Sequence, residues 1–230
     1  MSRTRFHRLN LAIAGMAIAI TALGGCDGDQ MAAKLEAGDT YFPLSVGNRW
    51  VLQTTVRKAG VSTPQTLIDT VSIVARTRVR DNIYYQASAT WSWPGFSASG
   101  RWVRRDTAGN LWVSAQPGGP EARYLIFDAD VGDRWNLPED FDGCLRSLTM
   151  IEDYAVVSTP IGRFDGATAI GGGWVDCSDF GWTASFARGV GPVKIEGVTI
   201  AGTWELQLIA AVVHEDQPEV LAGRLVDGRQ

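Results

Sequence analysis

Apolar and polar residues alternate with a period of two through three stretches of this chain, and that alternation predicts strands. Ile83, Tyr85, Ala87, Ala89, Trp91 and Trp93 share one face against Tyr84, Gln86, Ser88, Thr90 and Ser92, as in a strand with one buried and one wet side. Trp204, Leu206, Leu208, Ala210 and Val212 repeat the pattern against Thr203, Glu205 and Gln207, and Trp50, Leu52, Thr54 and Val56 form a third inward face. Turn formers separate the runs: Asp81-Asn82, Ala108-Gly109-Asn110, Pro117-Gly118-Gly119-Pro120 and Gly189-Val190-Gly191-Pro192. Each supplies positive-φ tolerance or a fixed φ where the chain must reverse. No helical pattern after residue 40 is long enough to make parallel crossovers. The reading is therefore all-β: roughly ten strands in a curved antiparallel sheet, a half-barrel or sandwich, forming one domain over residues 41–212.

One short pattern occurs twice. Ser45-Val46-Gly47-Asn48-Arg49-Trp50 returns as Asp130-Val131-Gly132-Asp133-Arg134-Trp135, 85 residues later. In both, a Gly-Asn or Gly-Asp turn places a Trp at the start of the next segment. Two readings stay open: reuse of a favourable turn, or two halves that begin with the same corner.

The N-terminus obeys another rule. Arg3, Arg5 and Arg8 precede an apolar run from Leu11 to Leu23, and residues 1–25 hold no acid. A run of this length is short of the roughly 20 residues of a membrane span and has the profile of a signal peptide. Behind it, Leu23-Gly24-Gly25-Cys26 resembles a bacterial lipobox. That resemblance implies cleavage before Cys26, a diacylglyceryl thioether on its sulfur and acylation of its new amine. Two or more acyl chains anchor a protein stably where one does not. An ordinary secretory cleavage that leaves a plain thiol, or an uncleaved anchor, are the alternatives. Asp27 resembles an inner-membrane retention signal, with the outer membrane as the other address. Residues 26–40 then form a lipidated tether, with a short helix expected over residues 30–37, and residues 213–230 a C-terminal tail.

With Cys26 acylated, Cys144 and Cys177 remain as an even pair in an oxidising compartment, and a disulfide is expected between them. Closing that loop would stabilise the fold by roughly 3–4 kcal/mol on the chain-entropy model. Two free buried thiols are the alternative. The stretch between them contains Gly166 and Gly171-Gly172-Gly173 and reads as a loosely held excursion without such a staple.

Three longer segments carry a second resemblance: "YFPLSVGNRWVL" at 41–52, "VVSTPIGRFDGATAI" at 156–170 and "SFARGVGPVKIEG" at 185–197, followed by "WELQL". Together they resemble a pattern found in periplasmic and secreted β-rich lipoproteins of unassigned function. Arg188 and Pro192 stand where that pattern has Pro and Leu. The resemblance implies a periplasmic β domain and supplies no catalytic residue.

Charge narrows the partners. The chain has 21 Lys plus Arg against 25 Asp plus Glu, and loss of residues 1–25 removes three arginines and no acid. A mildly acidic domain is a poor partner for nucleic acid, which requires a concentrated basic face.

Candidate chemistry is sparse. The two histidines are His7, inside the signal peptide, and His214. No histidine-rich metal site is available, and a Ser-His-Asp triad would have to use His214 without a Gly-x-Ser-x-Gly elbow. His214, beside Glu215 and Asp216, reads as a solvated domain end. Gly189-x-Gly191 precedes a strand pattern and so is hairpin geometry, not a phosphate loop. No cofactor is expected.

The acidic stretch "DADVGDRWNLPEDFDGC" at 128–144 contains Asp128, Asp130 and Asp133, a candidate calcium set without EF-hand spacing. It reads foremost as a solvated loop, with paired catalytic carboxylates as a further alternative. All nine tryptophans lie after residue 25. Trp91 and Trp93 on one strand, with Trp102 and Trp112 nearby, are a candidate ligand platform, against the plainer reading that they are core. Arg101, Arg104 and Arg105 offer an anion patch or an ordinary wet strand face.

Three functions remain. The first is a non-enzymatic, lipid-anchored domain that binds a protein or other ligand. The second is an envelope glycan hydrolase using two carboxylates about 5–9 Å apart across a groove with Trp beside them. The third is a lipid or lipoprotein carrier with a continuous apolar cavity.

Overall fold

The protein is described by a computed structural model for residues 40–88, 102–138, 145–174 and 180–214. Cys26, Asp27, Trp91, Trp93, Arg101, Cys144 and Cys177 lie outside the described residues.

Twelve strands form one antiparallel sheet, two more than the alternation suggests. They are β1 (Arg49–Lys58), β2 (Gln65–Val79), β3 (Asn82–Ala87), β4 (Trp102–Arg105), β5 (Leu111–Ser114) and β6 (Glu121–Leu125). The second set is β7 (Arg134–Asn136), β8 (Leu145–Thr159), β9 (Gly162–Trp174), β10 (Phe180–Ala187), β11 (Gly191–Thr199) and β12 (Gly202–Val212). No helix occurs among the described residues.

The order across the sheet is β6-β5-β4-β3-β2-β1-β12-β11-β10-β9-β8-β7. It consists of two six-stranded meanders, β1–β6 and β7–β12, placed side by side and joined where β1 pairs with β12. Moving six places along the sheet superimposes the order of the first meander on that of the second. The repeated corner stands at the head of each.

The two corners share a hydrogen-bond frame. Gly47 N donates to Ile73 O, Ile73 N to Asn48 O and Asn48 N to Ser45 O. In the second corner Gly132 N donates to Met150 O, Met150 N to Asp133 O and Asp133 N to Asp130 O. Gly47 and Gly132 have φ of 98° and 96°, a region where an L side chain is strained and glycine is not. The echo in the sequence is thus a structural repeat with two settings.

The inward face matches the alternation where the strands are regular. Trp50 and Leu52 are buried opposite Ala211 and Leu208. The alternation fails at the end of β12. Leu52 pairs with Leu208 but Val51 with Ala210, so Ile209 is an extra, bulged residue. A bulge inverts the inside-outside parity beyond it; Ala210 and Val212 are exposed instead of inward. Tyr84, expected on the wet face, is 3% exposed because its hydroxyl is engaged there by Glu121.

The glycine triplet also departs from expectation. Gly171, Gly172 and Gly173 belong to β9 and pair with both β8 and β10, so this part of the stretch is central sheet and not an excursion. On the inward face the Trp182 indole lies on Gly172, where a Cβ would stand 2.6 Å from the ring. Trp204 lies on Gly197 in the same way. Each missing side chain is the seat of a neighbouring indole.

Residues 41–44 fill the end of the interior next to the first corner. Phe42 packs on Trp50 and Phe186, with ring centroids 5.3 and 6.4 Å apart. Trp50 Nε1 donates to Val190 O at 2.6 Å, so the β10–β11 hairpin closes over the corner. Buried Asn48 donates from Nδ2 to Pro43 O and His214 O, and its Oδ1 accepts from His214 N. The end strands β6 and β7 are not paired. Trp135 Nε1 nevertheless donates to Tyr124 O across that gap, so the sheet curls until its ends meet through a side chain.

Candidate functional site

Antiparallel partners share a face, so register alone assembles the outward face of the second meander. From the junction one row runs Thr55, Glu205, Glu196 and Thr183. It continues through Gly171 and Thr149 to Arg134. A second row, two residues along, includes Val198, Gly181, Gly173 and Ser147. These residues line an open trough of about 860 Å³ that crosses seven strands.

Gly171, Gly173 and Gly181 carry no side chain on this face, and the Ile151 side chain lies over Gly171, where a Cβ would stand 2.8 Å from it. Trp182 and Trp204 contribute their backbone here; their indoles pave the underside. Trp182 is 4% exposed and its Nε1 has no hydrogen-bond partner among the described residues. Ile151, on the floor, and Val198, beside it, leave apolar spots, both about half exposed. Thr149, Thr183 and Ser147 supply hydroxyls.

The ends differ in charge. At the β11–β12 end, Glu196 and Glu205 stand directly opposite one another. Lys194 Nζ sits between them, 2.8 Å from Glu196 and 3.1 Å from Glu205. Burial pulls the Lys194 pKa down, and hydrogen bonds to the two carboxylates outweigh it and raise it. Arg57 lines the same end, so two cations stand with the two carboxylates there. At the β7 end, Arg134 donates from Nε and Nη2 to Ser147 Oγ at 2.8 and 2.6 Å. Ser147 is 5% exposed, and among the described residues Arg134 has no carboxylate partner.

The predicted platform lies elsewhere. Trp102 and Trp112 share the outward face of the first meander, one register step apart, since Trp102 pairs with Ser114 and Trp112 with Arg104. Trp112 is already engaged. The Arg104 guanidinium covers its ring at 5.0 Å, and its Nε1 donates to Asp106 Oδ2 at 3.0 Å. Burial disfavours the Asp106 carboxylate, but hydrogen bonds from Trp112 and Asn110 prevail and hold its pKa low.

The arginine patch also divides. Arg104 forms a two-pronged contact with Glu121, Nε to Oε1 at 2.7 Å, and Tyr84 donates to the same Oε1 at 2.6 Å. The hydrogen bonds from Arg104 hold the Glu121 carboxyl below its ordinary value, against burial and with help from Tyr84. Burial and then the bond to Glu121 push the Tyr84 hydroxyl up. Arg105 points to the other face and donates to Thr40 Oγ1 and Phe42 O. These arginines fasten the fold.

The aspartates of the candidate calcium set do not converge. Asp133 Oδ2 accepts from Asp130 N, and Asp128 stands 3.7 Å from Arg123 in an exposed pair. Among the described residues no group of three or more His, Cys, Asp or Glu is placed to hold a metal ion. Among the described residues the exposed side chain of His214 has no carboxylate or nucleophile bonded to it; its backbone is what Asn48 holds.

Glu196 and Glu205 do not stand out in the sequence, and Arg134 and Gly171–Gly173 stand out there only as parts of a turn and of a slack stretch. The wet-face positions of Glu196 and Glu205 are readable from alternation. Their direct opposition depends on the β11–β12 register, which no local pattern carries.

No protein-family model matches the chain, and no curated protein matches it. Three solved structures are similar to it at low identity. An exported protein of Bacteroides fragilis described as having a YmcC-like fold is 12% identical, with 76% of this chain and 100% of that chain covered and a TM-score of 0.46. A lipoprotein of Parabacteroides distasonis is 13% identical, with 76% and 99% covered and a TM-score of 0.39. A LolA superfamily protein of Nitrosomonas europaea is 10% identical, with 74% and 87% covered and a TM-score of 0.22. These likenesses assign no activity.

Proposed function

We propose that this protein is a cell-envelope lipoprotein, anchored through Cys26 and facing the periplasm. Its β domain is a non-enzymatic binding module, and Asp27 favours the inner membrane. The observation that carries the binding role is the trough: about 860 Å³ of open space over a floor of small residues, Gly173, Gly181, Thr149 and Thr183 among them, with charged groups at both ends. At Gly173 and Gly181 no side chain stands between a ligand and the main chain, so a ligand can approach it closely.

The lining favours a polar ligand over a lipid. Apolar side chains stand on the floor only in spots, and at the other end of the molecule Phe42, Leu44, Trp50 and Phe186 are packed in the interior with no exposed surface. The Glu196–Glu205 pair is the one feature that fits the glycan hydrolase reading. Lys194 already neutralises part of it, as in a structural ion-pair bridge and unlike an acid with a proton to donate.

Two measurements test the proposal. Metabolic labelling with a palmitate analogue should mark the wild-type protein and not Cys26→Ala; an unlabelled wild type refutes the anchor. Native mass spectrometry of the full-length protein extracted from cells should show a retained non-lipid mass. A retained acyl lipid other than the anchor would favour the carrier reading.

A further inference from the structure

We propose that the tips of two adjoining hairpins, β1–β2 and β11–β12, dock on a phospholipid bilayer, with Ile200 and Val61 at the boundary between headgroups and acyl chains and Lys58 at the phosphates. The inference rests on the proposed anchor for the nearness of a membrane and adds the surface through which the domain meets it.

Turn chemistry singles these tips out. Thr199 pairs with Gly202, which leaves Ile200 and Ala201 as a two-residue loop. Such loops ordinarily take Asn, Asp or Gly. Here Ile200 is 78% exposed, more than any other large hydrophobic side chain among the described residues, and Val198 behind it is 54% exposed. The loop is held in shape, since Ala201 N donates to Thr199 Oγ1 and Thr199 Oγ1 to Gly202 O. Ala59 N donates to Ala201 O at 2.8 Å, so the β1–β2 turn, with Val61 54% exposed, stands beside the first as one protruding edge.

Charge and shape name the partner. Residues 57–68 and 197–204 contain no acid. Arg57 stands with Lys194 beside Glu196 and Glu205, which leaves exposed Lys58 as the surplus charge of the two tips. A protein partner needs roughly 800 Å² of matched surface, and two convex tips do not offer it. A bilayer interface accepts isolated apolar side chains and lets a neighbouring Lys reach the phosphates. The β8–β9 hairpin, at the opposite end of the sheet, also exposes Tyr154 and Val156, but it surrounds them with Glu152, Asp153 and Asp165 against Arg163. Anionic headgroups repel that end. Thr40, where the tether joins, lies at the same end as the β8–β9 tip, its carbonyl accepting from Gly189 N. β12 is 11 residues long and spans ~36 Å, whereas residues 26–40 reach up to ~48 Å when extended. The anchor therefore allows the far tips to rest on the membrane.

The test places photoreactive p-benzoylphenylalanine at position 200 or, as the control, at position 154 of the full-length protein in vesicles of phosphatidylethanolamine and phosphatidylglycerol. Tyr154 is 75% exposed, so the two probes are equally open to water. Irradiation should give a phospholipid adduct at position 200 in about tenfold higher yield than at position 154. Equal yields, or no adduct at position 200 of the membrane-held protein, overturn the docking and leave the anchor standing. If the chain is instead released by cleavage without acylation, the same vesicles are floated on a density gradient. Flotation of the wild type, lost in Ile200→Asp combined with Val61→Asp, keeps the docking surface without the anchor. No flotation, or equal flotation of both proteins, removes the docking surface as well. Both substitutions fall on exposed turn positions, and unchanged thermal unfolding of the double variant excludes misfolding as the cause.

Discussion

The two meanders begin with the same corner and end with opposite outward faces. In the first, Tyr84, Glu121, Arg104, Trp112 and Asp106 form a continuous chain of contacts across β3–β6. In the second, Gly173 and Gly181 project no side chain from the middle of the face and Arg134 is left without an acidic partner among the described residues. The corners diverge likewise. The first is buried, with Trp50 and Asn48 both at 0% exposure, whereas the second sits on the end strand, with Trp135 half-buried and Asp133 exposed. One outward face is cross-linked by side chains; the other keeps an open trough. The contrast can be broken residue by residue.

The largest effect is expected at Trp50. Trp50→Ala removes the best-buried indole of the core and should cost about 3–5 kcal/mol, read by urea denaturation, with Trp135→Ala costing about half as much. Equal losses would erase the distinction between the corners.

Asn48→Ala should come next. It strips partners from Pro43 O and from both backbone groups of His214, for a cost of about 2–3 kcal/mol. Asp133→Ala removes one exposed bond and should cost less than about 1 kcal/mol. Proteolysis of the two variants offers a second readout, since only Asn48→Ala should release the chain around residue 214.

The shared backbone frame predicts equality where the side chains predict difference. Gly47→Ala and Gly132→Ala should each cost about 1–2 kcal/mol, because both place a Cβ at positive φ. A Cβ on Gly47 meets nothing closer than 3.7 Å and one on Gly132 meets nothing within 4 Å, so packing adds little to either. Unequal thermal shifts would mean that the corners are not one device.

The smallest effect concerns acid. The Glu121 pKa is lower folded than unfolded, so its contribution is present above the unfolded value of about 4.3 and is lost as pH falls through the folded value. Wild type should therefore lose about 1 kcal/mol more than Glu121→Gln on going from about pH 5 to pH 2.5. Parallel stability curves for the two proteins would show that the Arg104–Glu121 contact is not coupled to folding.

Legibility tracks the range of the interactions. The strands around Trp50 and Leu52 can be read because alternation is local, and so can the corner, whose Gly and Trp recur at fixed spacing. The outward turn of Ala210 and Val212 cannot, because Ile209 looks like any other apolar residue and only its pairing with β1 makes it a bulge. Gly171–Gly173 reads as slack chain because a glycine reveals nothing of the indole seated on it from the next strand. The trough is the extreme case. Each of its rows gathers residues from strands spread between residues 55 and 205, one from each, and leaves no local trace. The candidate platform illustrates the same limit, since Trp102 and Trp112 do share a face, while the ring of Trp112 is claimed by Arg104 from the neighbouring strand.

The measurement that meets the central claim most directly compares the two equivalent arginines. Arg49 and Arg134 hold the same position in the two corners, and neither Arg49→Gln nor Arg134→Gln should change unfolding stability by more than about 1 kcal/mol. Ligand occupancy of the full-length protein, read by native mass spectrometry after extraction from cells, should be unchanged in Arg49→Gln and reduced in Arg134→Gln. Equal occupancy in the two variants would contradict the assignment of binding to the second half.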